Sequence, residues 1–193
     1  MKFIDMFYLL FEMPTSTGDY RPLRPNNIEN KTKEFLEIKN CPDCIEEGTF
    51  RTYKVIKLTT SDKFKYWFLD EENQIIAAKI VVTKLHYKNK IIYTSQDIYK
   101  DITAEKNLML YIFVEFLLEK FPYIESMHEH SNEAIKFWKD KLLPFTINAG
   151  YKCSIINYQY NSEKNIPNMS AYNKLVNTLW PNKYLRPRIY AKK

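Results

Sequence analysis

The densest cluster of titratable side chains is His128-Glu129-His130, three residues beyond Glu125. Imidazole titrates near neutral pH, so His128 or His130 suits a general base that takes a proton from an attacking amine. Glu125 suits the same task. The plain alternative is a strand-to-helix loop, where polar residues are ordinary. A metal centre would need a third ligand that this cluster does not supply. Cys41-Pro-Asp-Cys44 has the spacing of a zinc or redox pair, but no second pair of that kind follows. Three cysteines are too few for a disulfide framework. An odd count, with no cleavable leader in Met1–Pro14, points to a reducing, cytoplasmic setting. Cys41 and Cys44 are therefore read as reduced thiols in a turn, and no metal is expected.

Charge and glycine usage narrow the classes further. The net charge of +6 permits phosphates or an acidic partner, although lysine excess is usually a solvated surface. The C-terminal run Asn182–Lys193 interleaves bases with aromatics, a pattern able to grip phosphates and stack bases. Lysines guarding a sheet edge explain it equally well. The glycines are Gly18, Gly48 and Gly150 alone. A phosphate loop of Walker type and a dinucleotide fingerprint both need clustered glycines, so both are excluded.

These groups need elements to position them. Residues 104–121 are apolar almost all the way round and predict a buried helix, with Thr103 as N-cap, Glu105 in the first turn and Pro122 as the stop. Glu115 and the short length argue against a membrane span, and no membrane is expected as a partner. Residues 2–12 and 31–39 predict helices, the second capped by Asn30, with Phe35, Leu36 and Ile38 inward. Alternation predicts strands at 50–58, 65–69, 74–84 and 90–94, joined as an antiparallel meander. A short strand at 123–126 follows the buried helix. Then come a helix at 132–142, a strand at 152–160, a helix at 171–179 capped by Ser170, and a strand near 188–191. That order predicts an α/β fold: one mixed, mostly antiparallel sheet flanked by helices. Residues 1–49 are expected as an N-terminal helical extension and 50–193 as the domain.

The order over roughly 50–160 resembles the GNAT superfamily of N-acetyltransferases. So does a local pattern: Asn132, Ala134 and Phe137-Trp138 opening a helix, with Gly150-Tyr151 on the return to the sheet. The stretch Glu125–Ser131 before a Trp-bearing helix resembles a variant found in phage-encoded GNAT-like proteins. The resemblance implies an acetyl-CoA or other acyl-CoA donor and an amine-bearing acceptor. It implies a splayed gap between the strand near Thr94 and Ser95 and that at 123–126, where the pantetheine arm enters. It implies cofactor contacts from Thr103, Lys106, Asn132 and Trp138, and a base among Glu125, His128 and His130. Two departures stand out. The loop before the central helix, 96–106, has no glycine, and Trp138 occupies the place where many members carry a general-acid Tyr. The alternative is a GNAT-like protein without catalysis, a phage factor that binds host protein or nucleic acid.

Overall fold

The computed structural model describes residues 28–88, 90–127, 132–180, 182 and 184–192. The expected helix at 2–12 and the pair His128 and His130 lie outside the described residues. Among the described residues a nine-stranded mixed sheet runs in the order β1-β2-β3-β4-β5-β6-β9-β7-β8. Its meander is β1 (Ile45–Phe50), β2 (Tyr53–Thr59), β3 (Lys63–Asp70), β4 (Ile75–Tyr87) and β5 (Lys90–Lys100). After the central helix come β6 (Tyr123–Glu125), β7 (Cys153–Asn157), β8 (Ser162–Ile166) and β9 (Leu185–Tyr190). β5 and β6 are parallel and every other pairing is antiparallel.

α1 (Ile28–Lys39) lies on one face of the sheet. Phe35 packs there with Ile56, Trp67, Leu69 and Ile76. Asn30 falls inside this helix and does not cap it. Leu36 is 46% exposed, contrary to the inward position expected of it, because Phe35 and Ile38 supply the buried side. β1 lies on the extension's side of the expected boundary at 49/50, yet it is the edge strand of the sheet. It turns into β2 through Arg51, held at φ 57°. Arg51 reaches Glu105 and Glu115 and stacks 3.7 Å from the Tyr111 ring, pinning that turn to the central helix.

The other face carries the central helix α2 (108–120), α3 (132–148) and α4 (Met169–Leu179). α2 buries Leu108, Ile112, Phe113 and Leu117 against Val55, Tyr66, Phe68 and Ile124, as its all-round apolarity requires. It begins four residues later than Ala104. Thr103 is not its cap: Asn107 stands in the N-cap position, and the Thr103 hydroxyl is turned to Asp101. α3 runs past the expected end at Leu142 to Asn148. Proline lacks an N–H and its ring crowds the preceding turn, and here the turn before Pro144, Trp138–Leu142, is widened to π geometry. α4 is capped by Asn168, whose side chain accepts from the Ala171 N–H, not by Ser170. β8 was not expected, and its run Ser-Glu-Lys-Asn-Ile is exposed at four of five positions. Cys41 and Cys44 are joined in a disulfide rather than left as thiols, closing the turn from α1 to β1. Cys153 is buried in the main core. No described helix is long and apolar enough to cross a membrane.

Candidate functional site

β5 decides what faces what. Residues alternate sides along a strand, so Ile92 and Thr94 share one face while Tyr93 and Ser95 share the other. Lys79 pairs with Tyr99 and Val81 with Gln96, leaving Ile80 opposite an extra residue. This is a β-bulge, and Asp97 at φ 44° forms it. The bulge inverts the alternation. Ile98 and Lys100 then face α2 and α3, while Tyr99 and Asp101 face α1.

On the α2 side a cleft of about 210 Å³ opens between the end of β5, the start of α2 and the first turns of α3. Ile98 and Lys100 form its floor, Lys106, Asn107, Met109 and Leu110 one wall, and Glu133, Ala134, Phe137 and Lys141 the other. Burial, and then repulsion from Lys141, pull the Lys100 ammonium below its ordinary range against the pull of Asp101. An anion placed between the lysines would relieve that repulsion. The first turn of α2 carries no side-chain cap, so it presents the positive end of the helix dipole to the same space. Sites for whole drug-sized ligands usually measure about 300–1,000 Å³, so this cleft takes part of a larger molecule.

β5 and β6 meet at one pair of residues, Thr94 and Glu125. β5 continues six residues further to Lys100, while β6 ends at Glu125. The strands are therefore joined at a point and not zipped along their length. Thr94, Ser95 and Thr83 are fully buried, and their hydroxyls have no hydrogen-bond partner among the described residues.

Glu125 is 0% exposed. Its Oε2 accepts from the Tyr158 hydroxyl at 2.6 Å, and Oε1 accepts from Arg188 Nε at 2.7 Å and from Arg188 Nη2. Burial, then Glu125, push the Tyr158 hydroxyl above its ordinary range, so it stays protonated and keeps donating. Burial would lower Arg188, but Glu125 and Tyr190 outweigh it and raise it. Both oxygens of Glu125 are thus engaged, which is the position of a counter-ion rather than that of an open base. Tyr158 and Arg188 give no local signal in the sequence, since they join Glu125 only through strand register.

Of the residues the resemblance implied for a cofactor, Lys106 lines the cleft and Asn132 opens α3 beside it. Thr94 and Ser95 sit at the point where β5 and β6 part. Thr103 is turned back onto Asp101. Trp138 does not line the cleft; it is fully buried, edge-on to Phe113 at 5.6 Å. Lys141 and Phe137 enter because helical spacing brings positions 134, 137 and 141 onto one face of α3. The described residues include no cluster of three metal-ligating side chains. No protein-family model matches the chain, and no curated protein matches it.

Proposed function

We propose that this protein has a GNAT-like fold and is an N-acyltransferase that takes acetyl-CoA or another acyl-CoA in the cleft at the head of α2. The observation that carries this reading is the cleft itself. It combines three lysines and a helix start without a side-chain cap with apolar lining from Ile98, Met109, Leu110 and Phe137, and it is built on the stretch of β5 beyond its single pairing with parallel β6. Lysines and a helix start attract phosphates, and the apolar residues suit a pantetheine chain. The reaction would join an amine nitrogen to the thioester carbonyl and break the C–S bond. The amine's proton goes to a base, and the thiolate leaves and is protonated. With Glu125 engaged by Tyr158 and Arg188, the base is assigned to His128 or His130.

A second reading is a GNAT-like binding protein without catalysis. Glu125 favours it, because the best-placed carboxylate near the strand junction is already neutralised. Thermal unfolding with added acetyl-CoA tests ligand binding. At about 100 times Kd a ligand stabilises by about 2.7 kcal/mol, so millimolar acetyl-CoA should raise Tm visibly. No shift removes the acyl-CoA reading. A shift without thiol release across a panel of amines selects the binding protein.

A further inference from the structure

The turn from β5 to α2 (101–107) carries no glycine, yet it places Lys106 and Asn107 on the cleft. Asp101 is the reason it can. This carboxylate is 2% exposed. Its Oδ1 accepts from the Thr103 N–H at 2.9 Å and the Thr103 hydroxyl at 2.7 Å. Its Oδ2 accepts from Lys31 of α1 at 2.6 Å and the Tyr99 hydroxyl at 3.0 Å. Its own N–H donates to the Ala77 carbonyl on β4. From the cleft side Lys100 Nζ donates to the carbonyls of Asp101 and Ala104, at 2.8 and 3.0 Å. The turn is wound around one buried charge and stapled on both sides.

We propose that Asp101, held by Lys31, is the positioning residue of the cleft. It sets the turn before any ligand arrives, and it consumes the Thr103 amide that a glycine-rich loop would offer to a phosphate. Recognition of the anionic group then falls to lysine side chains, with Lys106 and Lys141 in the leading place because the Lys100 ammonium is occupied by the turn. The ligand class is a phosphate-bearing donor, and this inference rests on the acyl-CoA reading of the cleft. Asp101 does not touch the reacting atoms.

Two readouts on the intact chain test this. The first is hydrogen exchange at the Thr103 amide without ligand. It is slow in the wild type and fast in Asp101→Asn, where the neutral amide side chain loses Lys31. The second is CoA binding by isothermal titration. Asp101→Asn and Lys31→Met should each weaken it by about tenfold or more, and Lys31→Arg should restore it. Unchanged Thr103 exchange together with unchanged CoA affinity in Asp101→Asn overturns the positioning role. If the wild type does not bind CoA, the acyl-CoA reading fails. The turn is then judged on Thr103 alone: exchange equally slow in Asp101→Asn overturns the role, and faster exchange upholds it. If Asp101→Asn folds poorly, Lys31→Met decides: CoA affinity equal to that of the wild type overturns the hold of Lys31 on the turn, and weaker binding that Lys31→Arg restores upholds it.

Discussion

Asp101 and Glu125 are the two buried carboxylates among the described residues, at 2% and 0% exposure, and they have opposite kinds of partner. Asp101 draws two of its four donors from Thr103, two residues away, and one from Tyr99. Only Lys31 is distant in sequence. Glu125 takes everything from afar: Tyr158 and Arg188 are separated from it by 33 and 63 residues. A carboxylate with local donors shapes a turn. A carboxylate with remote donors fastens strands together. Here Glu125 ties β6 to β9 and to the residue just past β7 where β6 touches β5, and Asp101 shapes the approach to the cleft.

The largest expected effect comes from breaking the remote pair. Removing one member of a buried ion pair strands the other, which costs about 3–5 kcal/mol. Glu125→Ala and Arg188→Met should each fall in that range by chemical denaturation. The double variant Glu125→Met/Arg188→Met should recover part of the loss, because the Arg188 charge is no longer stranded, while buried Arg186 still loses the attraction of Glu125. A loss of less than about 1 kcal/mol in the single variants would place Glu125 in contact with water and reopen its use as a base.

Asp101→Asn should cost less, about 1.5–3 kcal/mol, the range for weakening hydrogen bonds to a charged group. Its pH dependence separates the two sites further. Burial alone would raise the Asp101 carboxyl, but Lys31, Thr103 and Tyr99 outweigh it and hold it well below the usual carboxylate range. A depressed folded value means that the stabilisation is complete above the unfolded value of about 3.9 and is lost as pH falls towards the folded one. The gap in stability between wild type and Asp101→Asn should therefore be flat from neutral pH down to about 5 and should narrow below about 4. A gap that widens in acid contradicts the arrangement.

The same contrast explains what could be read in the chain. The central helix, the meander and the strand-helix order follow from periodicity, which is local, and they were legible. β8 was not, because an exposed edge strand of Ser, Glu, Lys and Asn has no apolar alternation. The start of α2 was misplaced because Thr103 has a cap's composition, whereas its hydroxyl is turned to Asp101 and the helix begins at Leu108. The cleft was half legible. Lys106 followed from its place before the helix. Lys141 and Phe137 depend on where α3 lies. That Lys100 faces α2 while Asp101 faces α1 depends on the bulge at Asp97, which carries no sequence signature. How the Trp138 ring packs was not legible either: a motif position says which residue opens a helix, not which way its ring is turned.

Tyr158→Phe probes Glu125 without stranding Arg188. It removes one hydrogen bond to a charged group, worth about 1.5 kcal/mol, and leaves the ring against Tyr87 at 5.4 Å. Circular dichroism should be unchanged while the denaturation midpoint drops. If the loss matches that of Glu125→Ala, the hydroxyl and not the guanidinium is the chief partner.

The smallest effect belongs to Lys31→Met. Its side chain keeps 19% of its exposure, so water already shares in solvating the ammonium. A partly exposed pair contributes about 0–1 kcal/mol, and Asp101 retains Thr103 and Tyr99 when the lysine is gone. Stability should therefore scarcely move, whereas Arg188→Met at the corresponding place beside Glu125 costs several kcal/mol. Acid unfolding sharpens the difference. Without Lys31 the Asp101 carboxyl rises towards its ordinary range, so Lys31→Met should begin to lose stability at a higher pH than the wild type does. An unshifted acid limb would mean that Thr103 and Tyr99 alone hold the carboxyl down, and that α1 contributes its Phe35 packing but no charge to the turn.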